Sequence, residues 1–167
     1  VPAARAARVL TFDPRALAED RAYAQIEREV PAVAVLGRDE RAAVSYVIME
    51  MLNNVIDHAS ATSVDVRVTP GERGMALEIQ DDGVGAFARL RQGLGLASEL
   101  DAVAEVSKGK VTTDPARHSG EGLFFTSKVA DRFELEANGL CWIVDNLRDD
   151  VSVLPSKRRQ GTSVRVE

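Results

Sequence analysis

The chain has 167 residues, 45% hydrophobic and 28% charged, and acidic residues outnumber basic ones to leave a formal net charge of −5. That is the composition of one domain able to bury its own core; it excludes a disordered segment, and with the basic residues scattered, direct nucleic-acid binding is not expected. No apolar run approaches the ~20 residues of a membrane span, no charged-then-apolar leader opens the chain, a single cysteine, Cys141, excludes an internal disulfide, and no Cys/His cluster has zinc spacing, so a cytoplasmic location is expected.

Residues 1–8 read as an Ala/Arg tail or linker and 9–167 as one domain, and a start at Val1 suggests a piece of a longer protein. Val9 to Phe12 predicts a short strand. Asp13-Pro14 then offers an N-cap followed by proline at the first helical position, with a helix expected to about Val30. Pro31 stops or bends it, and Gly37-Arg38-Asp39 gives a loop and a cap before the next helix.

Val44 to His58 is the stretch around which the chain is organised. Val44, Val47, Ile48, Met51, Leu52, Val55 and Ile56 keep the spacing of an apolar helical stripe, which predicts core. At about 100° per residue, Glu50, Asn54 and Asp57 fall within roughly 60° of one another, with His58 at the edge of the same stripe. Acids, an amide and an imidazole beside a core face suit a site; the alternative is a solvated face with i,i+4 partners.

Val64, Val66 and Val68 alternate, 70–74 turns the chain back, and Met75, Leu77 and Ile79 alternate again, which predicts a hairpin. The period of two carries Asp81 onto the buried face. An unpartnered carboxylate there would cost several kcal/mol, so either the strand ends before Asp81 or something polar meets it; the plainer reading is a carboxylate that accepts backbone hydrogen bonds at a strand end. Asp81-Asp82-Gly83-Val84-Gly85 follows as a sharp turn where backbone can approach a ligand.

Phe87 to Glu105 predicts one or two short helices interrupted near Gly93 and Gly95, and 107–119 reads as a polar, mobile loop. Gly120-Glu121-Gly122 opens another helix through Leu123, Phe124 and Val129; amides at such a start can bind phosphate oxygens, although a lone G-x-G says little. Phe133 to Ala137, Leu140 to Val144 and Ser163 to Val166 predict strands, with Asn138-Gly139 as a tight hairpin turn, Cys141 as a core thiol and Trp142 as a core or edge packing residue. The fold class is α/β (α+β): a two-layer sandwich, its mixed, mostly antiparallel sheet covered on one face by helices.

Four pieces stand in order: E-x-x-x-N-x-x-D-H on a helix, D-D-G-V-G after a strand, S-G-E-G-L before a helix, and Gly161-Thr162 opening a last strand. Together, over about 45–166, they resemble the GHKL superfamily of ATP-binding domains, which includes gyrase, the large heat-shock chaperones, histidine kinases and MutL-type repair proteins and has the Bergerat fold. E-M-L-N-N-V-I-D-H, K-G-K-V-T-T-D-P and H-S-G-E-G-L-F-F-T-S-K look more closely like a bacterial group of ATP-binding regulators in which a STAS-like segment often follows.

The resemblance implies ATP and Mg²⁺ as ligands. It assigns Asp81 to the adenine amino group, Asn54 to the metal, Gly83 and Gly85 to close approach of base and ribose, and Gly120, Glu121, Gly122 and Leu123 to the phosphates. Thr162 would support Asp81, while Lys108, His118 and Ser119 belong to a lid spanning about 86–119; Lys108 is equally a solvated loop lysine. Glu50 resembles the base of the ATP-hydrolysing members and the anti-sigma serine kinases, Asp57 resembles the gyrase-like members, and His58 and R-H-S-G-E-G the anti-sigma kinases. The function so implied is a regulatory Mg²⁺-ATP domain that hydrolyses ATP or phosphorylates a partner Ser/Thr, such as that of a STAS-like domain, with a homodimer left open. The alternative is a non-catalytic sensor that controls partner binding through lid order.

Overall fold

The structure, a computed structural model, describes residues 6–71, 74–109 and 122–167. Its sheet has seven strands: β1 (Arg8–Phe12), β2 (Val64–Pro70), β3 (Met75–Asp81), β4 (Arg132–Ala137), β5 (Leu140–Asp145), β6 (Asp150–Pro155) and β7 (Thr162–Val166). They lie in the order β1-β2-β3-β7-β4-β5-β6, and every pairing among them is antiparallel. β7, last in sequence, fills the centre and joins the β1–β3 meander to the β4–β6 meander.

Helices cover one face: α1 (Glu19–Glu29), α2 (Pro31–Ala34), α3 (Arg38–Asn54), α4 (Ala86–Leu94), α5 (Glu99–Val106) and α6 (Gly122–Val129). The predicted stripe of α3 is core at Val47, Ile48, Met51, Leu52 and Val55, while Val44 and Ile56 are half-buried at its margin. Facing it are Val64, Val66, Val68, Leu77, Ile79, Phe133 and Leu135. Trp142 is buried against Phe133 with an edge-to-face centroid distance of 5.3 Å. The opposite face carries Glu78, Arg165, Glu134 and Glu136, as period-two strands with one wet face require.

Several boundaries differ from the sequence reading. Asp13 caps a single 3-10 turn, Pro14–Ala16, by accepting the Arg15 N–H at 3.0 Å; the chain then breaks at Leu17 and Ala18 before α1 begins. Pro31 ends one helix and opens the next. α3 starts earlier than expected, at Arg38, where the Glu40 carboxylate takes the Gly37 N–H at 3.2 Å, and it passes into a π turn, Val55–Ala59. The break between α4 and α5 comes at Gly95, in the left-handed region at φ 65°, whereas Gly93 stays inside α4. β6 was not anticipated.

Candidate functional site

The hairpin brings Asp81 to the end of β3 with the predicted inward parity, and it is 8% exposed. Its Oδ1 accepts the Gly83 N–H at 2.8 Å, and Thr162 turns its N–H and hydroxyl toward the same carboxylate. Burial nevertheless pushes its carboxyl above the ordinary carboxylate range, with the neighbouring Asp82 adding to the rise and those donors pulling back only in part. A buried acid short of donors can accept one more from a ligand. Thr162 Oγ1 also accepts the Ala86 N–H at 3.0 Å, tying the strand end to the start of α4.

The two glycines of D-D-G-V-G serve the protein's own packing. A Cβ on Gly83 would overlap the Ala59 carbonyl, the group that accepts the Val84 N–H at 2.9 Å. Gly85, at φ 89°, lies flat on the Asn138 carboxamide, 2.5 Å from where a Cβ would stand. Gly161 donates to the Gly83 carbonyl at 2.8 Å and has φ 67°. The loop is thus clamped between the end of the α3 helix and the strand pair β4–β5.

On α3, Glu50 and Asn54 lie one turn apart, both half-buried. The Glu50 carboxylate abuts the backbone of Gly122 at the start of α6, so that a Cβ there would collide with Oε2. The buried Nδ2 of Asn54 has no hydrogen-bond partner among the described residues. The chain then passes into the π turn, where Asp57 is exposed and His58 half-buried.

Of the other predicted residues, Leu123 packs its side chain against the core, while Lys108 is given over to Glu105, Nζ to Oε1 at 2.6 Å, on an exposed surface. His118, Ser119, Gly120 and Glu121, with most of the expected lid loop, lie outside the described residues. The structure therefore brings together Asp81, Gly83 and Thr162 in one group and Glu50, Asn54 and Gly122 in another, linked through the Ala59 carbonyl.

Three supporting residues were missed. Asn138 holds both sides of the loop, with Nδ2 donating to the Val84 carbonyl at 3.0 Å and Oδ1 accepting the Ala88 N–H at 2.9 Å. Asp82 accepts the Thr62 and Ser63 N–H groups at 2.7 and 3.0 Å and the Thr62 hydroxyl at 2.5 Å, bonds that hold its carboxyl below the usual range. Gln160 donates to the Asp82 carbonyl at 3.2 Å. The repeated acid in D-D-G was the only hint of Asp82, the Asn-Gly turn marked Asn138 as a turn residue but not as a clamp on the loop, and nothing local marked Gln160.

The arrangement fits a flat, donor-bearing group at Asp81. The orphaned Nδ2 of Asn54 is a donor and suits an acceptor such as a phosphate oxygen or water, whereas an oxygen-liganded cation would take the amide oxygen of the same side chain, with Glu50 one turn away supplying negative charge. No cluster of three or more His, Cys, Asp or Glu side chains suited to a metal occurs among the described residues. Residues 11–145, most of the chain, match the family model described as a histidine kinase-like ATPase domain. No curated protein matches the chain.

Proposed function

This chain belongs to the histidine kinase-like ATPase domain family, and from that premise we propose that it is the Mg²⁺-ATP domain of a bacterial regulatory protein that hydrolyses ATP or passes its γ-phosphoryl group to a partner Ser/Thr. Asp81 accepts a hydrogen bond from the adenine amino group, which relieves the shortage of donors around its buried carboxylate. Gly83, Gly85 and Thr162 shape the base end, and the stretch that includes Gly122 and Leu123 offers amides to the phosphates. Asn54 holds Mg²⁺, which when bound offsets phosphate charge.

The observation that carries the catalytic reading is the contact of the Glu50 carboxylate with Gly122. It joins a general base to the phosphate-binding stretch. Glu50 takes the proton from water or from a partner's hydroxyl, the freed oxygen bonds to the γ-phosphorus, the bond from that phosphorus to the bridging oxygen breaks, and ADP leaves. A STAS-like segment is the partner that the sequence motifs favour.

Incubating the full-length protein with γ-labelled ATP, alone and with its neighbouring domains, distinguishes water from protein as acceptor. Glu50→Gln should bind ATP nearly as wild type and lose about 10² to 10⁴ in phosphate release or transfer. Equal turnover by the variant would remove Glu50 from the mechanism. Absence of any turnover in wild type, with ATP still altering partner binding, would establish the sensor reading instead.

A further inference from the structure

β6 ends the sheet, and its outer edge pairs with nothing among the described residues. Ser156 donates its N–H to the Gly139 carbonyl at 2.8 Å, so backbone alternation turns Ser152 and Leu154 toward β5 and leaves the N–H and C=O of Val151 and Val153 facing outward. Pro155 falls in the outward set, so its missing N–H costs the pairing with β5 nothing but leaves the outer edge one donor short, with its carbonyl and both groups of Val151 and Val153 still open. Side chains do not shield this edge: Val151 is 54% exposed, Val153 36% and Leu154 50%, with Leu147 in the preceding turn at 76%. An open apolar strand is a template for another strand.

The charges at its two ends select which strand. Asp149 and Asp150 stand at the start of β6, and Lys157 and Arg158 follow its end. None of these four has an ion-pair partner among the described residues; the nearby Arg148 is already tied to Asp145 at 3.3 Å. A second β6 laid antiparallel sets the acidic start of each copy against the basic end of the other, whereas a parallel one sets acid against acid.

We propose that β6 pairs antiparallel with β6 of a second copy of this chain, about a two-fold axis near Val153, to form a closed dimer with one continuous sheet. The contact is isologous, so it ends at two copies. A single strand pair with its rim lies at or below the roughly 1,200 Å² lower bound of stable interfaces, so the dimer forms reversibly with concentration.

Sedimentation velocity on the full chain over rising concentration should show monomer passing to dimer. Two variants test the register of charge: Asp149→Asn with Asp150→Lys, the Asn chosen because position 149 has φ 52°, and Lys157→Asp with Arg158→Asp. Each alone should weaken dimerisation about tenfold or more, and mixing the two should restore it as a heterodimer, since unlike ends then meet. Val153→Pro removes an outward N–H without touching the bonds to β5 and should leave a folded monomer by circular dichroism. A wild type that stays monomeric at all concentrations, a dimer indifferent to both charge variants, or growth beyond two copies would each overturn the proposal.

Discussion

Replacing Asp81 with Asn isolates the group on which the proposed base recognition rests. The Asn Oδ1 can still accept the Gly83 N–H that Asp81 accepts at 2.8 Å, but the second position then presents N–H donors to the adenine amino group. A hydrogen bond to a charged acceptor is worth about 1.5 to 3 kcal/mol, and opposing two buried donors adds about 1 to 3 kcal/mol more. The sum, about 2.5 to 6 kcal/mol, is roughly 10² to 10⁴ in ATP affinity. The ligand-free fold should not suffer. Because the folded-state pKa of Asp81 is raised by burial, the stability it contributes is complete below its ordinary value and is lost as pH rises through the folded value. Asn has no such loss, so at neutral pH the free variant should melt at or above the wild-type temperature. Asp82, with its lowered pKa, acts in the opposite sense, losing its contribution as pH falls, and it is common to both proteins. Calorimetric titration with a non-hydrolysable ATP analogue, alongside melting curves across pH, reads both quantities. Unchanged affinity in a folded variant would refute the role of Asp81, and a variant unfolded at neutral pH would refute the view of its carboxylate as a burden on the free fold.

Asn54→Ala should weaken ATP binding about tenfold or more with Mg²⁺ and little with EDTA, while stability stays nearly constant because Nδ2 forms no bond to lose; equal loss in both titrations would place Asn54 on the nucleotide itself. Asn138→Gly, which keeps the left-handed turn at φ 50° and removes only the side chain, should cost about 1 to 3 kcal/mol in urea unfolding and lower adenine-nucleotide affinity; an unchanged midpoint would mean that the loop holds itself. Gly83→Ala forces a methyl into the Ala59 carbonyl and should destabilise the fold by about 1 to 3 kcal/mol even without nucleotide, whereas a loss confined to ligand binding would assign the glycine to the base alone.

What the sequence disclosed was what repeats locally. The α3 stripe, the hairpin of β2 and β3, the inward parity of Asp81 and the turn at Asn138 and Gly139 each follow from spacing within a few residues, and each is present. β6 escaped because an edge strand exposed on both faces has no burial alternation to write into its sequence. The cap at Asp13 was correctly placed but capped a shorter helix, since capping chemistry specifies a start and not a length. Asn138 was legible as a turn residue, yet its grip on Val84 spans 54 positions and exists only once the sheet has formed. The need for a small residue at Gly83 was anticipated, but its close neighbour is the Ala59 carbonyl.

The π turn at Val55–Ala59 sets a fixed length between the two ends of the site. It begins immediately after Asn54 and finishes at the carbonyl that receives the Val84 N–H. A π turn takes one residue more per hydrogen-bonded ring than an α turn, so this segment works as a gauge block whose thickness is counted in residues. Deleting one residue here would let the helix continue without strain of its own, yet it would swing the Ala59 carbonyl off Val84 and put Asn54 and Asp81 out of step. The segment can therefore vary in composition far more readily than in length.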